Sequence, residues 1–317
     1  ELPNEHIPDN FKIDQPEHKR IYVWFDAVIG YLSASIEWSK KTGNADLYKK
    51  WWYDKTAEHY YFMGKDNLIF HALFWPGQLY LYDENIHLPD VPVINQFLNL
   101  ENQKFSKSRN IIIDSKYIAE TYGVDPVRFY LTMIAPENHD SNFTWSEFMS
   151  VTNNILTATI GNFVMRALVL ASKAELTSNA IEEKEAREIT RLMNCLVETV
   201  NFQSFKKYAE IVVSIADLGN KYLSAREPWA LREDNKKFNS ILSTSVFFVL
   251  AIQVALKPLL PETAEKISQM IGVDFDCWPD ETALKNSFPK IRVGHVKPLF
   301  SKIDESVVEM EKNKIAL

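Results

Sequence analysis

After Thr144 the chain loses its runs of β-branched and aromatic residues and becomes a succession of long amphipathic patterns with few glycines. The halves on either side of that point must therefore be built on different periods. Downstream, Trp145 to Lys173, Glu182 to Asn201, Phe205 to Ala225, Asn235 to Leu256 and Pro261 to Ile271 each carry helical spacing, which predicts an all-α bundle. Upstream, Ile21-Tyr22-Val23-Trp24-Phe25 is an unbroken run expected to form a fully buried strand ending at Asp26, with a helical pattern following through Lys41. A Trp-rich segment leads to a second strand, His59 to Met63, stopped by Gly64-Lys65-Asp66. Leu68 to Tyr80 is helical in pattern, Val91 to Phe97 is a third strand, and Gln103 to Asn110 is a charged loop. Strands alternating with helices predict an α/β sheet with crossover connections. Asp114 to Ala135, with room for two helices, joins the halves.

A length of 317 residues favours two domains or more. The two cysteines, Cys195 and Cys277, are far apart, which excludes a disulfide framework or zinc knuckle and fits a reducing, cytoplasmic compartment. Lys and Arg total 35 against 42 Asp and Glu, a net charge of -7, so a polyanion must be met by local basic loops rather than by a global field. The longest apolar stretch, Val246 to Leu256, contains Gln253 and is too short to cross a bilayer, so it is expected as a core helix with no membrane partner. Glu1-Leu2-Pro3 offers neither an initiator Met nor a signal pattern, and the N-terminus is expected to be processed or cut from something longer.

Ligands of open α/β sheets bind beyond the carboxyl ends of the strands, where Asp26 and Asp66 fall. Gly64 lets the backbone pass close to a ligand, and Asp66 suits a ribose diol or, equally, the cap of the next helix. His71 sits on an apolar stretch, where a satisfied core histidine is the commoner outcome; Trp24 and Tyr31 also suit plain core filling. Lys104-Phe105-Ser106-Lys107-Ser108-Arg109 differs in kind. Its cations and hydroxyls can clamp a triphosphate, against the alternative of a solvated charge run. In the bundle, Asn162 and Arg166 share a helix face and Trp229 follows Pro228; together they suit unstacked RNA bases, or else a surface pair and a core Trp.

Tyr22 to Ala27 with Ile29-Gly30-Tyr31, Phe62 to Asn67 with Phe70-His71 and Phe74-Trp75-Pro76, and Lys104 to Ser108 resemble, in order, the motifs of methionyl-tRNA synthetases. Asp125-Pro126-Val127-Arg128-Phe129-Tyr130 resembles the class I motif joining the catalytic domain to a helical anticodon-binding domain, and Gly161 to Arg166 with Arg226 to Trp229 resemble that family's anticodon-reading elements. The resemblance covers essentially the whole chain. It implies that Trp24, Ala27, Tyr31 and His71 line a methionine pocket, that Gly64 and Asp66 contact the adenosine ribose of ATP, and that Lys104 and Lys107 act on its phosphates. It further implies that Asn162, Arg166 and Trp229 read the CAU anticodon of tRNA(Met), with ATP and Mg2+ as substrate. By the same resemblance, residues 1–110 are the C-terminal half of a Rossmann-like nucleotide-binding domain, 111–145 a stem-contact segment and 146–317 the anticodon-binding domain.

Three departures stand out. Val28 and Asn110 replace a common Pro and a common Gly, and Asn tolerates positive φ. No His-x-Gly-His occurs anywhere in the chain. That motif and an inserted domain that often carries zinc belong to the family's first half, so the chain is expected to be a C-terminal fragment with no metal of its own, monomeric and inactive alone. The alternatives are a non-catalytic tRNA-binding module, or another class I synthetase such as that for leucine, isoleucine or valine, which Phe70-His71 disfavours.

Overall fold

A computed structural model describes residues 18–20, 22–231, 235–274 and 291–315; the Pro-rich start and Cys277 lie outside them. The chain divides into two compact units, Glu1–Phe97 with Glu137–His139, and Leu98–Pro136 with Asp140–Leu317.

In the first unit, β1 (Tyr60–Gly64) and β2 (Val91–Asn95) pair in parallel, from Tyr60 opposite Val91 to Gly64 opposite Asn95. Their crossover runs through a π-helical turn, Phe70–Phe74, into α3 (Trp75–Tyr82), after α1 (Val23–Lys41) and the short α2 (Lys49–Trp52). The second and third expected strands and the crossover helix thus stand where the sequence placed them.

The first expected strand does not form. Val23 instead begins α1, and Tyr22, Val23 and Phe25 are exposed rather than buried. Among the described residues β1 and β2 pair only with each other, so a strand at Val23 lacks a neighbour, whereas a helix closes its backbone hydrogen bonds locally. Val28, unlike a proline, has the N–H that lets the helix extend upstream. Val28 and Leu32 carry the buried face of α1 at i,i+4 spacing, packing with Trp52, Met63, Trp75 and Leu79.

The second unit opens with β3 (Leu98–Leu100) and β4 (Gln103–Lys104), an antiparallel hairpin where the sequence reading ended its third strand at Phe97 and expected a loop from Gln103. Its two-residue turn puts Glu101 and Asn102 at φ 46° and 62°, the left-handed backbone that a type I′ turn requires. Asn142 on β5 (Ser141–Phe143) accepts from the Asn102 N–H at 2.8 Å, and the Glu101 carboxylate accepts from the Trp145 N–H at 2.9 Å. These bonds hold a turn that lacks glycine.

The joining segment forms α4 (Ser115–Tyr122) and α5 (Val124–Met133). Buried Asp125 accepts from the N–H and hydroxyl of Thr263, both at 2.6 Å, at the start of α11 (Pro261–Ile271), satisfying an otherwise orphaned helix N-terminus. Arg128 donates to the Leu259 and Pro258 carbonyls at 2.8 and 3.1 Å. The Asp-Pro-Val-Arg-Phe-Tyr stretch therefore fastens α5 onto the bundle.

The bundle contains α6 (Trp145–Ser150), which continues through a π-helical segment, Val151–Gly161, into α7 (Asn162–Ala171), then α8 (Glu183–Asn201), α9 (Phe205–Arg226), α10 (Lys236–Leu256) and α11. The Thr157 and Thr159 hydroxyls donate to carbonyls five residues back, and Asn220 on α9 donates to the Thr159 carbonyl at 3.0 Å, supporting the widened turn. Trp145–Ala171 and α10 are each long and apolar enough to cross a membrane by length and composition. Every residue of α10 from Ile241 to Leu256 is buried by its neighbours, as a core helix requires. Terminal helix α12 (Ser306–Ile315) packs on α6.

Candidate functional site

In the first unit, Trp24, Ala27 and Tyr31 lie at i, i+3 and i+7 on α1 and so share a face. The Tyr31 hydroxyl is 2.9 Å from Nε2 of His71, which is 6% exposed within the π-helical turn. Nδ1 of His71 lies 2.9 Å from the Asn67 carbonyl. A carbonyl only accepts, so Nδ1 donates its proton there, and in the neutral ring Nε2 accepts from Tyr31. Both ring nitrogens are engaged, and Tyr61 and Tyr31 pack their rings against the imidazole. His71 is thus buried with both ring nitrogens hydrogen-bonded within the chain. Trp24 stacks on Phe70 with centroids 4.8 Å apart. Ala27 is exposed on the same helix.

Gly64 closes β1, and the single turn Lys65–Asn67 places Asp66 on the surface. A Cβ on Gly64 would stand 2.8 Å from the Asp66 carboxylate, so glycine is what allows that carboxylate to fold back over the strand end. Asp66 sits inside the turn rather than at the cap position of a helix. Lys65 places its ammonium 4.4 Å from the centre of the Phe97 ring, a contact that sequence reasoning did not anticipate.

Lys104 and Lys107 lie in the second unit, both exposed. Lys104 stands opposite Asn99 in the hairpin, and Lys107–Arg109 forms one tight turn closed by Asn110 in the left-handed region at φ 54°. Asn110 thus adopts the conformation for which its tolerance of positive φ was noted. Reciprocal 2.9 Å backbone bonds between Ser106 and buried Ile111 tie the base of the loop together. The Asn110 side chain donates to the Lys314 carbonyl on α12 at 3.3 Å.

Glu311 on α12 is 2% exposed and accepts from Tyr117 and Tyr122, each at 2.6 Å, and from Lys314 at 2.9 Å. Burial opposes its ionisation, but these hydrogen bonds and the Lys314 charge outweigh it and hold the carboxyl below its usual range. A glutamate on an amphipathic helix gives no sequence signal for such a role.

In the bundle, Asn162 begins α7 with its side chain exposed, one turn before Arg166. Trp229 occupies a short turn, Pro228–Ala230, and is 51% exposed, which sets aside the alternative of a core tryptophan. The Arg166 guanidinium carbon lies 5.4 Å from the Trp229 ring centre. Nearby Arg226 pairs with Glu182 and lies over Tyr222. The result is an aromatic face with a fixed guanidinium beside it, suited to stacking and hydrogen-bonding unpaired bases. Among the described residues no cluster of three or more His, Cys, Asp or Glu side chains is placed to hold a metal ion.

A family model described as "tRNA synthetases class I (M)" matches residues 6–168, and one described as "Anticodon binding domain of methionyl tRNA ligase" matches residues 174–316. The chain is 34% identical over 353 aligned residues to a methionine–tRNA ligase of Thermobifida fusca, with 94% of this chain and 57% of that protein covered. It is 38% identical over 278 residues to one of Kineococcus radiotolerans, covering 80% of this chain and 46% of the relative. The chain therefore spans about half the length of these relatives. Among solved structures, the apo form of Mycobacterium tuberculosis methionyl-tRNA synthetase superposes with a TM-score of 0.71 at 21% identity, covering 92% of this chain and 58% of that one. The same enzyme in complex with methionyl-adenylate gives 0.71 at 23% identity, with 88% and 55% covered. At these identities the likeness establishes the fold.

Proposed function

The chain belongs to the methionyl-tRNA synthetases of class I, and from that premise we propose that it supplies the second half of the catalytic domain and the anticodon-reading domain of a methionine–tRNA ligase. The observation that carries this reading is the match of both family models on one chain that also sets Arg166 against an exposed Trp229. On this reading, residues 1–110 serve the nucleotide and methionine, 111–145 the tRNA stem, and 146–317 the anticodon.

In the proposed reaction, a methionine carboxylate oxygen attacks the α-phosphorus of MgATP, the bond to the bridging oxygen breaks and pyrophosphate leaves. A terminal ribose hydroxyl of the tRNA then attacks the adenylate carbonyl, forming the ester and releasing AMP. Side chains do little covalent work in the first step, where positioning and charge stabilisation dominate. Lys104 and Lys107 offset charge on the phosphates; the turn of Lys107–Arg109, closed at Asn110, presents Lys107 from a tied base. Gly64 and Asp66 hold the ribose. Trp24, Ala27 and Tyr31 wall the methionine side chain, with His71 locking the Tyr31 hydroxyl in place. Asn162, Arg166 and Trp229 take the CAU bases.

The enzyme works in the cytoplasm as a monomer, and any structural zinc belongs to the family's inserted domain. Activation of methionine needs the part of the relatives that this chain does not match. ATP–pyrophosphate exchange tests the assignment. The chain alone should give no methionine-dependent exchange, and a full-length enzyme of the family carrying this chain as its second half should give exchange that Lys107→Ala lowers by roughly 10²-fold or more. Methionine-dependent exchange by the chain alone, or full activity of the variant, overturns it.

A further inference from the structure

Asn110 stands in place of a common glycine, and the reading above uses it only to close the turn that presents Lys107. Its backbone, at φ 54°, is one that glycine adopts freely and asparagine tolerates. What asparagine adds is a donor. Its side-chain amide reaches the Lys314 carbonyl at 3.3 Å. Lys314 lies in the last turn of α12, where the final carbonyls have no acceptor role inside the helix. The bond therefore meets a group that the helix itself cannot satisfy, and a glycine could not make it.

The other end of this tether is anchored. Ile111, which follows Asn110, and Ile315, which follows Lys314, are both buried in the core of the second unit. Tyr117 on α4 and Tyr122 at its end donate to buried Glu311 of α12. Lys314 donates to Glu311 and to the Tyr117 hydroxyl, and its ammonium lies 4.6 Å from the centre of the Tyr117 ring. Each of these bonds is directional, so the satisfied network fixes the register of α12 on α4 in a way that apolar packing alone does not. Loop, α4 and α12 thus close a ring of contacts, from Asn110 to Lys314 and from Lys314 and Glu311 back to Tyr117.

We propose that Asn110 is a positioning residue for Lys107, its side chain holding the turn that carries this lysine against the end of α12. The inference rests on the assignment of Lys107 above and deepens it. The turn has two attachments, the reciprocal Ser106 and Ile111 bonds at its base and the Asn110 bond at its exit. The first fixes where the loop leaves the fold, and the second removes its freedom to hinge about that base. A lysine is a point charge on a flexible stem, so it offsets developing charge only from a well-placed backbone. A misplacement of about 1 Å can cost roughly 10²-fold in rate. α12 thereby acts on the reaction without touching a substrate.

The test is ATP–pyrophosphate exchange in a full-length enzyme of the family carrying this chain as its second half. Asn110→Gly keeps the backbone conformation and removes the donor. Asn110→Asp keeps the size and the tolerance of positive φ but turns the donor into an acceptor. Both should lower kcat roughly tenfold, leave KM for methionine unchanged and melt like the parent. In a Lys107→Ala background neither should cost anything further. Parent-like kcat in Asn110→Asp overturns the proposal, because the loss in Asn110→Gly then belongs to backbone freedom; parent-like kcat in Asn110→Gly leaves the donor without a role and overturns it too. A loss as large beside Lys107→Ala as in the parent places Asn110 on another group and also overturns it. Should a variant melt early, that coupling decides, since a fold defect adds to Lys107→Ala instead of vanishing in it. Full activity of Lys107→Ala sinks the underlying reading of the loop, a result distinct from a damaged Lys107→Ala beside parent-like Asn110 variants.

Discussion

The guanidinium of Arg166 lies over the exposed ring of Trp229, 5.4 Å from its centre, so each side chain fixes the other at the bundle surface. Trp229→Ala should weaken tRNA binding by about 1–3 kcal/mol, the usual cost of a lost base-stacking partner. Arg166→Lys keeps the charge but loses the planar stack, and should behave more like Arg166→Ala than like the parent. Fluorescence anisotropy with labelled tRNA measures both, and parent-like affinity of Arg166→Lys would contradict the role of the planar contact.

Gly64→Ala should act through Asp66. The backbone at Gly64 is extended at φ -74°, a conformation that alanine accepts, and the atom in the way is the tip of a side chain. The fold should survive, with melting unchanged, while the Asp66 carboxylate swings away. In a full-length enzyme of the family carrying this chain as its second half, KM for ATP should rise for Gly64→Ala and for Asp66→Ala alike, and the double variant should be no worse than Asp66→Ala. Additive effects would show that Gly64 meets the nucleotide by itself.

Gly219 is a packing requirement. The Phe163 ring occupies the place of a Cβ, which would stand 2.4 Å from its tip, and Phe163 is fully buried. Gly219→Ala should destabilise the bundle by about 1–3 kcal/mol through overpacking, and adding Phe163→Leu should recover part of that loss. Urea unfolding gives both values; a more stable single variant would contradict the packing.

Two groups should set stability in separate acid windows. Burial lowers the His59 pKa from its ordinary 6.5, and nearby His87 adds to this, against the opposing pull of the Trp51 carbonyl and Asp90. The folded state therefore prefers the neutral ring, whose Nδ1 is buried without a hydrogen bond. Its contribution is fully present above pH 6.5 and is lost as pH falls through that value toward the folded pKa. The Glu311 carboxyl, also lowered, contributes above its ordinary value of 4.5 and loses that contribution as pH falls through the folded pKa. Urea midpoints from pH 8 to 3 should show both declines. His59→Gln should flatten the first and Glu311→Gln the second.

Helices were the most legible part of the chain. In α8 and α11 the apolar period marks the buried face, and Pro261 and Gly272 bracket α11 as start and stop signals. The run before Asp26 misled because β-branched and aromatic residues fit a strand only where a neighbouring strand exists, and that depends on partners distant in sequence. The hairpin was missed because Glu101-Asn102 is not a turn-specific pair; Asn142 and the Trp145 N–H, far along the chain, stabilise it. Individual contacts were harder still. That Asn162 and Arg166 share a face follows from spacing, but the approach of Trp229 to Arg166 depends on how distant parts of the bundle meet.

The most direct measurement is the affinity of this chain for methionine tRNA against the same tRNA with an altered anticodon, across a salt series. We expect the CAU tRNA to bind roughly tenfold or more tightly at every salt concentration, with both affinities falling as salt rises. Equal affinity for the two tRNAs at all salt concentrations would contradict the assignment of Asn162, Arg166 and Trp229 and, with it, the anticodon-reading role of the bundle.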